Sequence, residues 1–225
     1  MAESTLMSAR VQAVLKRLYR NAEAVDAAAL ARANPVTDTL DGDEKVRVRS
    51  EMLGEAYLPV PPDVGRLLYI LARAHPSRTV VEFGTALAIS TIHFAAAVRD
   101  SGGGKVITTE INAEKARRAG GHLREAGLLD FVEIRVGDAR ETLRNLDHPV
   151  DFLFLDGWKE LYLPVLKVIE PDLRDGALVT ADNLNLASKE LKPFVEYISR
   201  EENGYLSVEV PIGDRLEISM RIESR

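Results

Sequence analysis

Two short segments carry the residues with the greatest chemical capacity. Leu155-Asp156-Gly157-Trp158-Lys159 sets an acid after an apolar run, with a lysine three residues on. Ala181-Asp182-Asn183 sets an acid and an amide after another such run. Two carboxylates and one amide oxygen, with positions left open for water or substrate, suit a hard octahedral cation such as Mg²⁺. The plainer reading makes Asp156 and Lys159 an ion pair and Asp182-Asn183 a turn; the paired placement favours the metal. Three more clusters follow apolar runs. Glu82-Phe83-Gly84-Thr85, with Ser90 shortly after, offers a glycine for close backbone approach and the free N–H groups of a helix start. Glu110 ends the next run, where an acid is the usual acceptor for ribose hydroxyls. Gly137-Asp138-Ala139 follows a third, where the aspartate can meet an adenine amino group or cap a helix.

These residues converge only if the runs are strands of one sheet. The sequence predicts strands at Thr79–Phe83, Lys105–Glu110, Phe131–Val136, Val150–Leu155 and Ala177–Ala181. Amphipathic helices fit between and after them near Ile89–Arg99, Ala113–Ala126, Ala139–Leu146 and Leu161–Leu173. Alternating strands and helices specify a mostly parallel α/β sheet, covered on both faces and doubly wound in the Rossmann-like manner. In such a sheet the carboxyl ends of the strands form the binding edge. After a helix near Ser188–Arg200, the runs Tyr205–Val210 and Arg215–Ile222 read as an antiparallel hairpin closing the sheet. Residues 1–58 read as an N-terminal helical cover and 59–225 as the catalytic domain. In the cover, Leu6, Val11, Val14, Leu15 and Leu18 recur at helical spacing. Asn34-Pro35 reads as a break, Asp41-Gly42-Asp43 as a turn before a charged helix to about Gly54, and Pro62 as the start of a helix to about Ala74.

Composition narrows the classes. A formal charge of -6 over 225 residues argues against nucleic acid or an anionic membrane as partner. The absence of cysteine excludes disulfides and thiolate chemistry. No secretory signal and no apolar run of about 20 residues stands out, so the expected location is cytoplasmic. His75, His93, His122 and His148 lack metal-ligand spacing and read as surface or packing residues. Trp158 reads equally as a wall of the site or as a packing anchor.

The ordered pieces VEFGTALAIST, TTEIN, VGDA, DGWKELY, GALVTADN and PIGDRLEI resemble the metal-dependent class I O-methyltransferases. That group includes the catechol and caffeoyl-CoA enzymes and bacterial small-molecule relatives. The resemblance runs from about Tyr57 to the C-terminus. It implies S-adenosylmethionine (AdoMet) as methyl donor and Mg²⁺, or another divalent cation such as Ca²⁺ or Mn²⁺. It further implies a small hydroxylated aromatic or natural-product acceptor and a homodimer. By the same resemblance, Val60, Glu82, Gly84, Thr85 and Ser90 surround the amino-acid part of AdoMet. Glu110 holds the ribose, and Asp138 and Ala139 frame the adenine. Asp156, Asp182 and Asn183 bind the metal, Asp156 also approaches the AdoMet amino group, and Lys159 falls on the catalytic lysine. Ala88 stands in place of a second glycine, Gly157-Trp158 in place of Ala-Asp, Arg215 in place of a frequent glycine, and Ala187 in place of an asparagine of plant relatives. The alternatives are a methyltransferase that needs no metal, an NAD-dependent oxidoreductase, and a silent AdoMet-binding protein. GTALAIS standing where G-x-G-x-x-G would be counts against the second. Asp156, Lys159, Asp182 and Asn183 occurring together count against the third.

Overall fold

The computed structural model describes residues 4–184 and 189–222. Seven strands form one sheet: β1 Thr79–Phe83, β2 Lys105–Glu110, β3 Val132–Val136, β4 Val150–Leu155, β5 Leu173–Ala181, β6 Tyr205–Val210 and β7 Leu216–Arg221. Their order is β3-β2-β1-β4-β5-β7-β6. The first five are parallel, while β7 runs antiparallel to both β5 and β6. Strand order reverses between β1 and β4, and a ligand crevice is expected at that point.

The helices are α1 Ala9–Thr37, α2 Gly42–Met52, α3 Pro62–Ala74, α4 Ile89–Asp100, α5 Ala113–Ala126, α6 Ala139–Thr142, α7 Tyr162–Ile169 and α8 Lys192–Ile198. Val80, Val106, Phe152 and Phe154 of the sheet share one apolar core with α3, α4 and α5, and Phe94 of α4 meets Phe152 edge-on. Leu6, Val11, Val14, Leu15, Leu18 and Ala22 are buried in this same core, so the first half of α1 is part of the sheet's packing. Val81, Leu153, Leu155 and Val179 face the other layer, built on Tyr162, Leu166 and Phe194 of α7 and α8. No helix of the described residues is long and apolar enough to cross a membrane.

Five local expectations are corrected. Asn34-Pro35 does not break α1, which continues to Thr37. Pro35 forfeits its own N–H bond to the Ala31 carbonyl, but it falls in the final turn, so little helix beyond it is disturbed, and Thr37 Oγ1 donates to the carbonyl of Ala33. The helix expected to Leu146 stops at Thr142, and Asn145 (φ +55°) then turns the chain into the left-handed region. β5 begins at Leu173 rather than Ala177, because a register shift between Val150 and Phe152 lets the turn-like Arg174-Asp175-Gly176 continue the strand. α7 accordingly ends at Ile169. The helix expected from Ser188 is α8, which begins at Lys192; Ser188 and Ala187 lie outside the described residues.

Candidate active site

Register builds the site. Phe83 pairs with Thr109 on one side and Leu155 on the other, and Leu155 pairs with Ala181. The next residue of each strand therefore lies on one level: Gly84, Glu110, Asp156 and Asp182. The amide of Asp156 donates to the carbonyl of Phe83 at 2.9 Å, and that of Asp182 to Leu155 at 3.1 Å, carrying the pairing past the strand ends. Gly84 (φ +107°) lies so close to the β4 turn that a Cβ would sit 2.6 Å from the carbonyl oxygen of Asp156. Glycine is needed here for contact with the neighbouring strand, as well as for any ligand.

A cavity of about 710 Å³ opens above this row. Val60, Gly84, Thr85, Ser90, Glu110, Asp138, Ala139, Asp156, Lys159 and Asn183 all line it. Glu82 and Asp182 are buried and do not line it. One Glu82 oxygen accepts from Thr91 at 2.5 Å and Thr108 at 2.7 Å, while Oε1 has no partner. Burial raises its pKa, an effect opposed by the Ser90, Thr91 and Thr108 hydroxyls. Glu110 accepts the amides of Ala86 and Asn112, each at 2.9 Å. Asp138 caps α6 through the Arg140 amide at 2.8 Å and is also gripped by the Arg140 guanidinium. Its capping and ligand-facing readings thus compete for the same oxygens. Ala88 carries the strain that a glycine would avoid, at φ +70° immediately before α4. Arg215 is also left-handed (φ +67°) and exposed, and its side chain bonds Glu209.

At the other end stand the groups suited to proton and cation chemistry. Asn183 Nδ2 donates to Asp156 Oδ1 at 3.0 Å, and Asp182 Oδ1 is buried without a partner among the described residues. Burial raises the pKa of Asp182 to about 6. It also raises that of Asp156, with Asp182 adding to the effect. Lys159 donates to the Tyr162 hydroxyl at 2.9 Å, which donates to the Asp182 carbonyl at 3.2 Å. Burial lowers the Lys159 pKa; Asp156 and Asp182 oppose that shift, and Arg49 adds to it. Among the described residues no cluster of three or more His, Asp or Glu could hold a metal ion, so a metal here depends on the amide completing the set. Two proton-hungry carboxylates, one of them with an orphaned oxygen, fit a hard cation. The amide now turns its nitrogen toward Asp156, and its oxygen would have to take that place.

The N-terminal cover supplies the roof, but the sequence did not single out the side chains that line it. Lys45, Val46, Arg49, Ser50 and Leu53 of α2 and its C-terminal end line the cavity at helical spacing, a mixed polar and apolar stripe too weakly amphipathic for periodicity to mark. Asp26 of α1 accepts the amides of Tyr57 and Leu58 at 2.7 and 2.8 Å, fixing the loop before α3. Trp158 is both wall and anchor: it lines the cavity, and its Nε1 donates to Ser50 at 2.7 Å. Of the histidines, His93 is buried against Gly65, with Nδ1 2.8 Å from the Ile89 carbonyl oxygen.

A family model described as a methyltransferase domain matches residues 81–184. The catechol O-methyltransferase of Mycobacterium tuberculosis is 32% identical over 65% of this chain and 68% of its own. That of Niastella koreensis is 32% identical over 63% of this chain and 66% of its own. The chain thus spans about two thirds of the length of these curated relatives. An O-methyltransferase from Bacillus cereus, solved in complex with SAH, shares the fold at a TM-score of 0.67 and 23% identity, over 85% of this chain and 97% of that one. Sequence relatives, fold and the placement of the acids at the strand ends agree: this chain belongs to the class I O-methyltransferases of the catechol type.

Proposed function

We propose that the protein moves a methyl group from AdoMet to a hydroxyl of a catechol-like or related small aromatic acceptor, assisted by a divalent cation. The observation that carries this reading is the meeting of Asp156, Lys159 and Asn183 with Gly84, Glu110 and Asp138 around one cavity. Glu110 has lone pairs left for ribose hydroxyls after accepting its two amides. The uncapped start of α4 at Ile89 and Ser90 offers N–H groups to the carboxylate of the donor, with Glu82 buried beneath it. Val60, Thr85 and Ala139 supply the walls. The names of the relatives support the donor and the reaction class.

The reaction forms an O–CH₃ bond, breaks the S–CH₃ bond, and releases the hydroxyl proton. A phenol with a pKa of about 10 is a poor nucleophile near neutrality. A divalent cation held by Asp156, Asp182 and Asn183 would stabilise the phenolate and fix two adjacent oxygens. Lys159, shifted downward by burial, is suited to take the proton while Tyr162 holds its Nζ in place. A metal-free variant is favoured by one contact, the Asn183 amide already bridging to Asp156. Methyl-labelled AdoMet, a catechol and chelator titration decide between them. The expected result is transfer to oxygen that stops on chelation and returns with Mg²⁺, Mn²⁺ or Ca²⁺. Chelator-resistant transfer would establish the metal-free variant, and AdoMet binding without transfer would remove the catalytic reading.

A further inference from the structure

Most charged side chains around the cavity already have partners. Lys45 is held by Glu190 at 3.0 Å and by Glu160 at 3.5 Å. Lys159 faces Asp156 and Asp182, and Lys115 faces Glu110. Arg49 differs. It lines the cavity one helical turn after Lys45, yet forms no ion pair among the described residues. Its Nε is buried and has no hydrogen-bond partner among the described residues.

Arg49 is nevertheless held in place. Its guanidinium lies 5.2 Å from the centre of the Trp158 ring, and Trp158 is fixed by Ser50. A guanidinium held over an aromatic ring can use its face for that contact and keep its in-plane N–H donors for a ligand. A planar fork of donors suits a carboxylate, which takes two parallel charge-assisted hydrogen bonds. Leu30 and Leu53 supply apolar wall beside it, and Asn34, whose Oδ1 is also buried without a partner, lines the same roof. A neutral acceptor filling the cleft would strip water from the cation and return no bond to it.

We infer that Arg49 is the specificity-determining residue for the acceptor, and that it selects an aromatic ring bearing a carboxylate in addition to the hydroxyl to be methylated. This rests on the methyl-transfer reading above. The test compares 3,4-dihydroxybenzoate with its methyl ester and with unsubstituted catechol, using labelled AdoMet and Mg²⁺. The expected result is a kcat/KM for the acid at least about tenfold above that for the ester, carried mainly by KM. In Arg49→Met, which keeps an unbranched chain over Trp158, the acid-to-ester ratio should fall to near one. Arg49→Lys should recover part of it. A wild-type enzyme that methylates ester and catechol as well as the acid would overturn the inference while leaving the reaction class intact. An undiminished ratio in Arg49→Met would also overturn it. Failure to methylate any of the three would remove the reaction class and this inference with it.

Discussion

Lys159 stands between opposing influences, since burial disfavours its charge and two carboxylates favour it. Lys159→Ala should lower kcat by about 10²–10⁴-fold while AdoMet affinity, read by calorimetric titration, stays near wild type. Unchanged turnover would remove the lysine from the chemistry. Asn183 allows a cleaner test than a routine alanine, because its φ is +70°. Asparagine tolerates that region, glycine prefers it, and alanine adds about 1 kcal/mol of strain. Asn183→Gly and Asn183→Ala should therefore share a weakened response to divalent cations, while Asn183→Ala alone melts lower. If Asn183→Gly keeps the full metal response, the amide is not a ligand. The sequence made these residues visible because each acid follows an apolar strand. It could not reveal that Glu82 and Asp182 lie beneath the cavity surface, since burial depends on what packs above them. Arg49 was hidden for a related reason: a lone arginine in a charged helix looks like any solvated residue until its face is known.

At the scale of elements, periodicity and register set most of the architecture. β1, β2, β4 and β6 begin and end where the sequence places them, β1 and β4 as short apolar runs. The misplaced boundaries fall where one local signal met a tertiary one. Pro35 signals a stop, but its position in a last turn makes it tolerable, and Arg174-Asp175-Gly176 signals a turn that pairing with β4 overrides. The contact between the β1 and β4 turns is the most restrictive of the local features. Gly84→Ala would force a methyl to 2.6 Å from the Asp156 carbonyl oxygen at φ +107°, with backbone on both sides unable to yield. It should cost roughly 2–4 kcal/mol in denaturant unfolding and weaken AdoMet binding together. A variant as stable as wild type would show that this contact is softer than it looks.

For the whole molecule, the cover and the sheet share one core. A chain beginning at residue 59 would lose Leu6, Val11, Val14, Leu15, Leu18 and Ala22 from that core. It should fail to give a cooperative thermal transition; a sharp melt near the full-length value would show the cover to be dispensable. The sequence suggested a separate cover because it shows helical texture first and strand texture later, and periodicity says nothing about which helix faces meet. Acid sensitivity also belongs to this scale. Burial lowers the His93 pKa to about 4 from an unfolded value of 6.5. Its contribution is present above pH about 6.5 and lost as pH falls to about 4, by roughly 3 kcal/mol in total. Buried acids such as Asp182, with its pKa raised, act in the opposite direction over an overlapping range, so the comparison must be with His93→Gln. The stability difference between the two proteins should shift in favour of the variant across that window, and a constant difference would contradict the assignment.

In the proposed reaction, the contact of Gly84 with the Asp156–Gly157 backbone would tie the floor beneath the methyl donor to the floor beneath the acceptor. Methyl transfer depends on alignment within tenths of an ångström, so two floors that cannot slide form a fixed gauge for the reacting atoms. Change in what the enzyme accepts would then be pushed away from the sheet and onto the cavity-lining positions of α1 and α2, such as Leu30 and Arg49, which lie outside the core shared with the sheet. The roof would be the part free to diversify, and the strand ends the part that stays the same.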